Sequence, residues 1–400
     1  MKKLKNVKNW ICLLSLLLTA LSTMAQRKEI IGYYPSWKWN SRSTIMTPAK
    51  IPFEKLTMIN YAFFYPLPDG RIVGRDTVGD EILLKGERDP GTGKYRQGTA
   101  LVDLAHRHGV KVLLSIGGWE DSSNFPDVAA SETKRQQFAH SCIDRIREYG
   151  FDGIDIDWEY PGYAEHKGTP QDKGNLNLLL QITRDSLTAY GNRTGTKLLL
   201  TAALPAGASI LSNFDMGKVT DLLDMLNVMT YDLSGTWDPV SGHNAPLFSP
   251  NESDSLRNID AVFRMYTVTH KVPASKINIG IPFYGHTFAN CTAPYSPHSG
   301  ADTVHFSNHG CFYYDIVQLM DRFTRFWDDR AKVPYLVSQE WKTFVSYDDE
   351  ESVGHKAQYV LDRDVGGVII WEITGDYMPD GRTPLLDVIT RKFGASKTKQ

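Results

Sequence analysis

Eight short apolar runs, most of them separated by helical patterns, constrain the fold of this chain more than any other feature of its sequence. Several are nearly continuous in Val, Ile and Leu, which is typical of strands buried on both faces of a parallel sheet. Eight strand–helix units predict a (β/α)8 TIM barrel of the α/β class. The predicted strands are Ile30–Tyr34, Leu56–Phe64, Val110–Ile116, Phe151–Asp157, Lys197–Ala203, Met225–Tyr231, Ile277–Phe283 and Gly367–Trp371.

Helices are predicted between these runs where apolar residues recur at steps of three and four. Glycine favours helix ends, so we expect the first helix to stop at Gly150 and the second before Gly191. The third is expected to bury an apolar face that starts at Leu256. The predicted helices are Ser131–Tyr149, Asn175–Tyr190, Ser253–His270 and Glu350–Leu361.

About sixty residues rich in aromatics, Pro and His separate the seventh strand from the helix predicted after it. A structureless loop of that length is improbable in a compact domain. We therefore predict a small α+β subdomain, residues 288–346, inserted between strand 7 and helix 7. Cys291 and Cys311 in this stretch are candidates for a disulfide, whereas Cys142 on a helical face is expected to be a buried free thiol.

The amino-terminal residues 1–25 have the pattern of a secretory signal peptide: a basic start, a short apolar run and small residues up to Ala25. The run is too short for a comfortable membrane span, and we expect no membrane anchor. The catalytic domain is expected to span 26–393, followed by a disordered tail, 394–400. We expect a secreted monomer, extracellular or periplasmic.

Net charge argues against a nucleic-acid partner. Removing residues 1–25 takes away four lysines and no acidic residue, so the formal charge changes from −2 to −6. A mildly acidic chain offers no electrostatic reason to bind a polyanion.

The acidic stretch Phe151–Tyr160 lies on the fourth predicted strand and supplies the candidate chemistry. Asp155, Asp157 and Glu159 alternate with large apolar residues, so in a strand they share one face. In a parallel barrel the apolar face packs under the helices, and the carboxylates then point inward. Acids in a barrel interior are costly unless they hydrogen-bond, share protons or do chemistry. Glu159 stands where the strand ends and its active-site loop begins.

Two other interpretations of this stretch are weaker. A solvated acidic loop would not be filled with Ile and Trp. A calcium loop starting at Asp155 would place Tyr160 where the sharp-turn Gly belongs and His166 where the bidentate Glu belongs. The pattern therefore favours catalysis and predicts no metal.

The stretch DGIDIDWEYPG resembles the D-x-x-D-x-D-x-E signature of family 18 glycoside hydrolases, the chitinases, with Asp152, Asp155, Asp157 and Glu159 at its four places. The resemblance implies a retaining, substrate-assisted hydrolase of β-1,4 bonds between N-acetylglucosamine units, acting through an oxazolinium ion and needing no cofactor. Glu159 would be the acid and Asp157 the group that holds the acetamido N–H. Asp155 would share a proton with Asp157, and Tyr231 would orient the acetamido carbonyl.

Other strand ends resemble the same family, including the Tyr-Tyr pair of strand 1, Ser-x-Gly-Gly of strand 3 and Met-x-Tyr-Asp of strand 6. The resemblance implies that Tyr33 reaches the buried Asp155 and that Trp371 forms the floor under the sugar at the cleavage point. Ser115 offers a hydroxyl to a buried carboxylate. The substrate-binding residues it implies are Tyr33, Trp37, Ser115, Gly118, Trp119, Tyr160, Met229, Asp232, Trp237, Tyr284 and Trp371.

Two alternative functions share the barrel. A chitin-binding lectin of this family would typically lack the acid, and Glu159 is present. An endo-β-N-acetylglucosaminidase acting on N-glycans or peptidoglycan would share the acidic motif. The insertion and the WEYPG continuation favour chitin or N-acetylglucosamine oligosaccharides as substrate, and the sequence leaves endo and exo action open.

Overall fold

The structure is a computed structural model that describes residues 27–40, 47–250, 255–306 and 311–394. The predicted signal peptide lies outside these ranges, and so does the predicted tail after Gly394. No helix within the described ranges combines the length and the apolar character that crossing a bilayer requires.

Eight parallel strands close into a barrel, because β1 pairs with β2 on one side and with β14 on the other. The barrel strands lie in the order β1-β2-β4-β5-β6-β7-β8-β14, with β3 an antiparallel hairpin partner of β2. The strands are β1 (Glu29–Pro35), β2 (Met58–Pro66), β3 (Ile72–Gly74), β4 (Lys111–Gly117), β5 (Gly153–Asp157), β6 (Leu199–Leu204), β7 (Met225–Val228), β8 (Ile277–Pro282), β9 (Tyr284–Ala289), β10 (Cys311–Phe312), β11 (Thr324–Asp328), β12 (Val333–Ser338), β13 (Thr343–Ser346) and β14 (Gly367–Trp371). The predicted (β/α)8 barrel is confirmed, and each of the eight predicted strands overlaps a barrel strand.

Helices surround the barrel and cover the outer faces of its strands. The first long one starts at the Ser131 side chain, which accepts a hydrogen bond from the Lys134 N–H, and ends at the left-handed Gly150, as predicted. The helices are α1 (Thr77–Lys85), α2 (Leu101–Arg107), α3 (Phe125–Ala130), α4 (Glu132–Tyr149), α5 (Asp172–Thr194), α6 (Ala208–Leu211), α7 (Met216–Leu222), α8 (Ile259–Arg264), α9 (Tyr313–Gln318), α10 (Glu350–Asp362) and α11 (Pro384–Phe393).

Two predicted helix details are wrong. The α5 helix continues through Gly191 and ends at Gly195. Gly191 is buried inside the helix, where a Cβ would lie 2.4 Å from the Thr196 carbonyl oxygen, so this glycine permits close packing. The third predicted helix starts later than expected, because the Asn258 side chain accepts from the Ala261 N–H and caps α8. Leu256 therefore precedes the helix and is 75% exposed.

The insertion between β8 and α10 is built on a five-stranded antiparallel sheet in the order β10-β9-β13-β12-β11, with α9 beside it. Its first strand, β9, starts at Tyr284, directly after the barrel residue Phe283. The insertion therefore begins before residue 288, where the sequence predicts its start. Because β9 follows β8 so closely, the first residues of the insertion lie at the carboxyl end of the barrel. The insertion therefore contributes side chains to the same end of the barrel as the acidic motif.

The three cysteines in the described ranges are free and buried. This agrees with the prediction for Cys142, but the Cys291–Cys311 pairing is wrong. Cys311 pairs with Gly285 near the start of β9, whereas Cys291 follows the end of that strand. The extended residues 285–289 alone span roughly 13 Å, beyond the separation of about 7 Å that a disulfide can bridge.

Candidate active site

Strand β5 divides its side chains between the barrel interior and the core outside it, as its alternating sequence predicts. Ile154, Ile156 and Trp158 belong to the main apolar core, and Trp158 stacks on Phe125 of α3 at 5.2 Å between ring centroids. Asp155 on the opposite face is completely buried and accepts hydrogen bonds from inward-facing residues of four other barrel strands. The acids therefore lie inside the barrel.

Four donors surround the Asp155 carboxylate, one from each of four strands. The Tyr33 hydroxyl and Ser115 Oγ donate to Oδ2 at 2.8 Å each. The sequence predicts the first contact, and for Ser115 it predicts a buried carboxylate without naming which one. Thr201 Oγ1 donates to Oδ1 at 2.5 Å and Asn227 Nδ2 at 3.1 Å. Burial raises the pKa of Asp155, and the four hydrogen bonds oppose that rise by stabilising the carboxylate.

Asp157, two residues further along β5, is buried with fewer partners. Its backbone carbonyl accepts from the Gly118 N–H at 2.8 Å, and among the described residues no group bonds its buried Oδ1. Burial raises the pKa of Asp157 well above its usual range, and the charges of Glu159 and Asp155 raise it further. The four hydrogen bonds to Asp155 come from residues other than Asp157, so the sharing of a proton between these two acids stays a prediction.

Glu159 lies beyond the paired part of β5, at the start of the loop. Its backbone N–H donates to Ser122 Oγ at 2.8 Å, and its carbonyl oxygen lies 2.5 Å from His166 Nδ1. Burial raises the pKa of the Glu159 carboxyl to about 7; the Tyr160 hydroxyl opposes this rise and the charge of Asp232 adds to it. Glu159 can therefore hold a proton near neutral pH, as a general acid requires.

Two glycines allow the end of β4 to approach the acids and the aromatic floor. Gly117 and Gly118 both have positive φ, 116° and 88°. A Cβ on Gly117 would lie 2.1 Å from the carbonyl oxygen of Asp157, and one on Gly118 would lie 2.7 Å from the Phe63 ring. A side chain at either position would displace the backbone next to the catalytic strand.

Tyr231 is positioned by the residue before it, because beyond the end of β7 the Thr230 side chain bonds the backbone of β8. Thr230 Oγ1 donates to the Gly280 carbonyl at 2.9 Å and accepts from the Gly280 N–H at 2.8 Å. A Cβ on Gly280 would lie 2.6 Å from the Tyr231 ring, so the absence of a side chain there makes room for it. Burial and the neighbouring acids, Asp157 first, raise the pKa of Tyr231 well above its usual range, so its hydroxyl stays a donor. Met229 packs in the same apolar cluster.

Asp232 meets the first strand of the insertion. Its Oδ1 accepts from the Tyr284 hydroxyl at 2.6 Å and lies 2.8 Å from His286 Nε2. Its own N–H donates to Asn244 Oδ1 at 2.7 Å, which holds the left-handed backbone of this residue, φ 54°. Asp232 and Tyr284, both predicted to bind substrate, are therefore in contact.

Aromatic side chains form the surfaces beside these acids. Trp371, at the end of β14, is partly exposed and stacks on Phe63 with 5.7 Å between centroids and an 18° angle, and it also touches Tyr33. Trp37 contacts the same Phe63 ring at 6.2 Å. Trp37, Trp119 and Trp237 are 38%, 46% and 63% exposed, which is high for tryptophan. Exposed aromatic faces near buried carboxyls suit pyranose rings.

The family model for glycosyl hydrolases family 18 matches residues 29–376, most of the chain. The chain belongs to glycosyl hydrolase family 18. Chitinase A1 of Niallia circulans is 34% identical over 89% of this chain and 58% of its own length, so the chain spans less than two thirds of that relative. Chitinase 1 of Aphanocladium album is 32% identical over 92% of this chain and 86% of its own length. The solved structure of chitinase ChiA74 from Bacillus thuringiensis, 30% identical, matches with a TM-score of 0.83 over 94% of this chain and 71% of that one.

In this family 18 glycoside hydrolase, sequence reasoning missed several residues that shape the site. Thr201 and Asn227 bond Asp155, Phe63 supports Trp371, and Ser122 and His166 hold the backbone of Glu159. The sequence does carry a signal for Thr201 and Asn227, since they are polar residues on the inward face of otherwise apolar strands. Phe63 carries no such signal, because it lies within a run of apolar residues.

Proposed function

We propose that this family 18 hydrolase is a secreted chitinase that cleaves β-1,4 bonds between N-acetylglucosamine units. The observation that carries the proposal is that Asp157 ends β5 and Glu159 follows it by two residues, with Glu159 able to hold a proton near neutrality. The relatives and the solved structure reported above are all named chitinases, which supports chitin as the substrate class. The predicted leader supports secretion.

The placement of the two acids favours a nucleophile that comes from the substrate. Most retaining glycosidases place an acid and a nucleophile on opposite sides of the scissile bond, and substrate assistance in this family is an exception to that rule. Because Asp157 ends β5 and Glu159 opens the loop directly after it, they approach a bound sugar from the same side. An acetamido oxygen on the sugar itself can attack the anomeric carbon from the other side.

The proposed reaction has two steps. Glu159 gives its proton to the glycosidic oxygen while the acetamido oxygen attacks the anomeric carbon, so the leaving sugar departs and a cyclic oxazolinium ion forms. Asp157 accepts a hydrogen bond from the acetamido N–H. The positive charge that grows on the sugar favours the ionised form of the Asp157 carboxyl. The Tyr231 hydroxyl donates to the acetamido carbonyl. Glu159 then takes a proton from water, which opens the ring at the anomeric carbon with net retention.

The aromatic surfaces favour an extended chain of similar sugars as the substrate. Trp37, Trp119 and Trp237 follow three different barrel strands, and Trp371 lies at the end of a fourth. Each can stack against a ring of a repeating polymer, and a repeating substrate uses all of them. An enzyme acting on N-glycans or peptidoglycan would share the acids, so the substrate has to be tested directly.

Product analysis tests the proposed function. The purified protein is incubated with soluble N-acetylglucosamine oligomers of increasing length, with a high-mannose glycopeptide and with peptidoglycan, and products are identified by mass spectrometry. We expect shorter N-acetylglucosamine oligomers as products. A metal chelator should leave the activity unchanged, and the protein should sediment as a monomer. Release of intact N-glycans or of muropeptides alone would contradict the proposal, and oligomer binding without cleavage would indicate a lectin.

The pH dependence of kcat/KM follows from the protonation of Glu159. The acid must be protonated to act, and its pKa is raised to about 7, so kcat/KM is expected to fall as pH rises through about 7. Asp232→Asn removes a negative charge that raises this pKa, so the alkaline limb should move to lower pH. The profile is measured with a fluorogenic chitobioside, with the exposed Asp362→Asn as control. An alkaline limb at the same pH in both variants would exclude this electrostatic influence of Asp232.

A further inference from the structure

We propose that His166 is a positioning residue that fixes the backbone of the general acid and supports the Trp119 ring next to it. The inference rests on the proposed function, because it takes Glu159 to be the acid. His166 follows β5 by nine residues, in a 3₁₀ turn formed by Ala164–His166, and its side chain returns to the strand end.

The backbone of Glu159 has no barrel ladder to hold it. The last paired residue of β5 is Asp157, opposite Gly117 of β4. Backbone groups in a largely buried site need hydrogen-bond partners, and here side chains provide both. Ser122 Oγ accepts from the N–H of Glu159 at 2.8 Å, and His166 Nδ1 lies 2.5 Å from its carbonyl oxygen.

The direction of the second hydrogen bond follows from its chemistry. A carbonyl oxygen can only accept, so His166 Nδ1 must carry the proton. Nδ1–H is present in one neutral tautomer of histidine and also in the imidazolium form.

The other contacts of His166 link the acid to an exposed aromatic surface. Its ring meets the Trp119 ring edge-on, at 4.7 Å between centroids, and Tyr163 packs against both rings. The backbone N–H of Trp119 in turn stabilises the Glu159 carboxylate, which opposes the rise in the pKa of that carboxyl. Glu159, Trp119 and His166 thus form a closed set of contacts in which each residue touches the other two. Movement of the Trp119 ring and movement of the acid are therefore coupled.

Two substitutions separate the two contacts. His166→Asn places an amide N–H near the position of Nδ1 and lacks the ring, whereas His166→Phe keeps a ring beside Trp119 and has no donor. We expect His166→Phe to lower kcat on soluble oligomers by roughly tenfold or more with KM changed less than about twofold, because a displaced acid slows the chemical step. His166→Asn should restore kcat to within about threefold of wild type and raise KM, because the Trp119 surface loses its support.

The outcomes are distinguished by measuring kcat, KM and melting temperature for each variant. Equal kcat in wild type and His166→Phe would overturn the inference, and so would equal losses in both variants, which indicate a structural role only. If His166→Phe does not fold, His166→Leu takes its place. This variant lacks both the donor and the ring, so we expect kcat to fall as in His166→Phe and KM to rise as in His166→Asn. Absence of turnover in the wild-type protein would instead overturn the proposed function.

Discussion

Glu159→Gln is expected to lower kcat on N-acetylglucosamine oligomers by at least about 10²–10⁴-fold, the usual contribution of a general acid. The amide has nearly the same size and can keep the contact to the Tyr160 hydroxyl, but it has no proton to deliver to the leaving oxygen. The backbone contacts of residue 159 to Ser122 and His166 do not involve its side chain, so the loop should keep its conformation.

Initial rates and oligomer binding by calorimetry check this expectation. Binding should persist in Glu159→Gln, because the aromatic surfaces are unchanged. Glu165→Gln is the matched control, since Glu165 is an exposed glutamate of the same loop and should keep wild-type turnover. Turnover close to wild type in Glu159→Gln would remove this residue from the mechanism.

Trp371→Ala is expected to weaken oligomer binding and turnover together. Trp371 covers the Phe63 ring and packs against Tyr33, so its removal takes away the proposed floor of the site and uncovers both rings. Stability should fall as well, by less than the roughly 3–5 kcal/mol typical of a fully buried Trp, because Trp371 is partly exposed.

Affinity is measured in the Glu159→Gln background, where the bound oligomer is not consumed. Trp371→Phe is the control that keeps an aromatic face on Phe63, and it should recover part of the lost affinity. Chemical denaturation gives the free energy of unfolding for each variant. Unchanged oligomer affinity in Trp371→Ala would show that this residue serves only the core.

The barrel could be predicted from the sequence because its strands are buried on both faces. Runs such as Leu199–Leu204 and Ile277–Pro282 are apolar or nearly so along their whole length, and in a chain with helices between the runs this pattern is typical of a parallel sheet covered on both sides. Helix ends were less predictable. Gly191 favours a helix end by propensity, but in the structure it lies inside α5 and packs closely against Thr196.

The acids of the site could be predicted because they interrupt an apolar strand at a cost that only function or hydrogen bonding offsets. Their supporting residues depend on register across strands. Thr201 lies beside Asp155 because β5 and β6 pair at that point, and a single sequence does not give that register. The role of His166 was the hardest to predict from the sequence. Its contact with Glu159 depends on how the loop after β5 turns back, and no local sequence pattern specifies that turn.

Partly acetylated chitosan tests whether the acetamido group of the substrate is the nucleophile. The hypothesis rests on the placement of Asp157 and Glu159 at the end of the same strand and the start of its loop, with Tyr231 close enough for both charges to raise its pKa. The measurement is the identity of the sugar at each newly formed reducing end, determined by mass spectrometry after isotopic labelling of that end. We expect N-acetylglucosamine at every new reducing end and no cleavage of fully deacetylated chitosan. Glucosamine at the new reducing ends would contradict the hypothesis, because Asp157 would then have to act as an ordinary nucleophile.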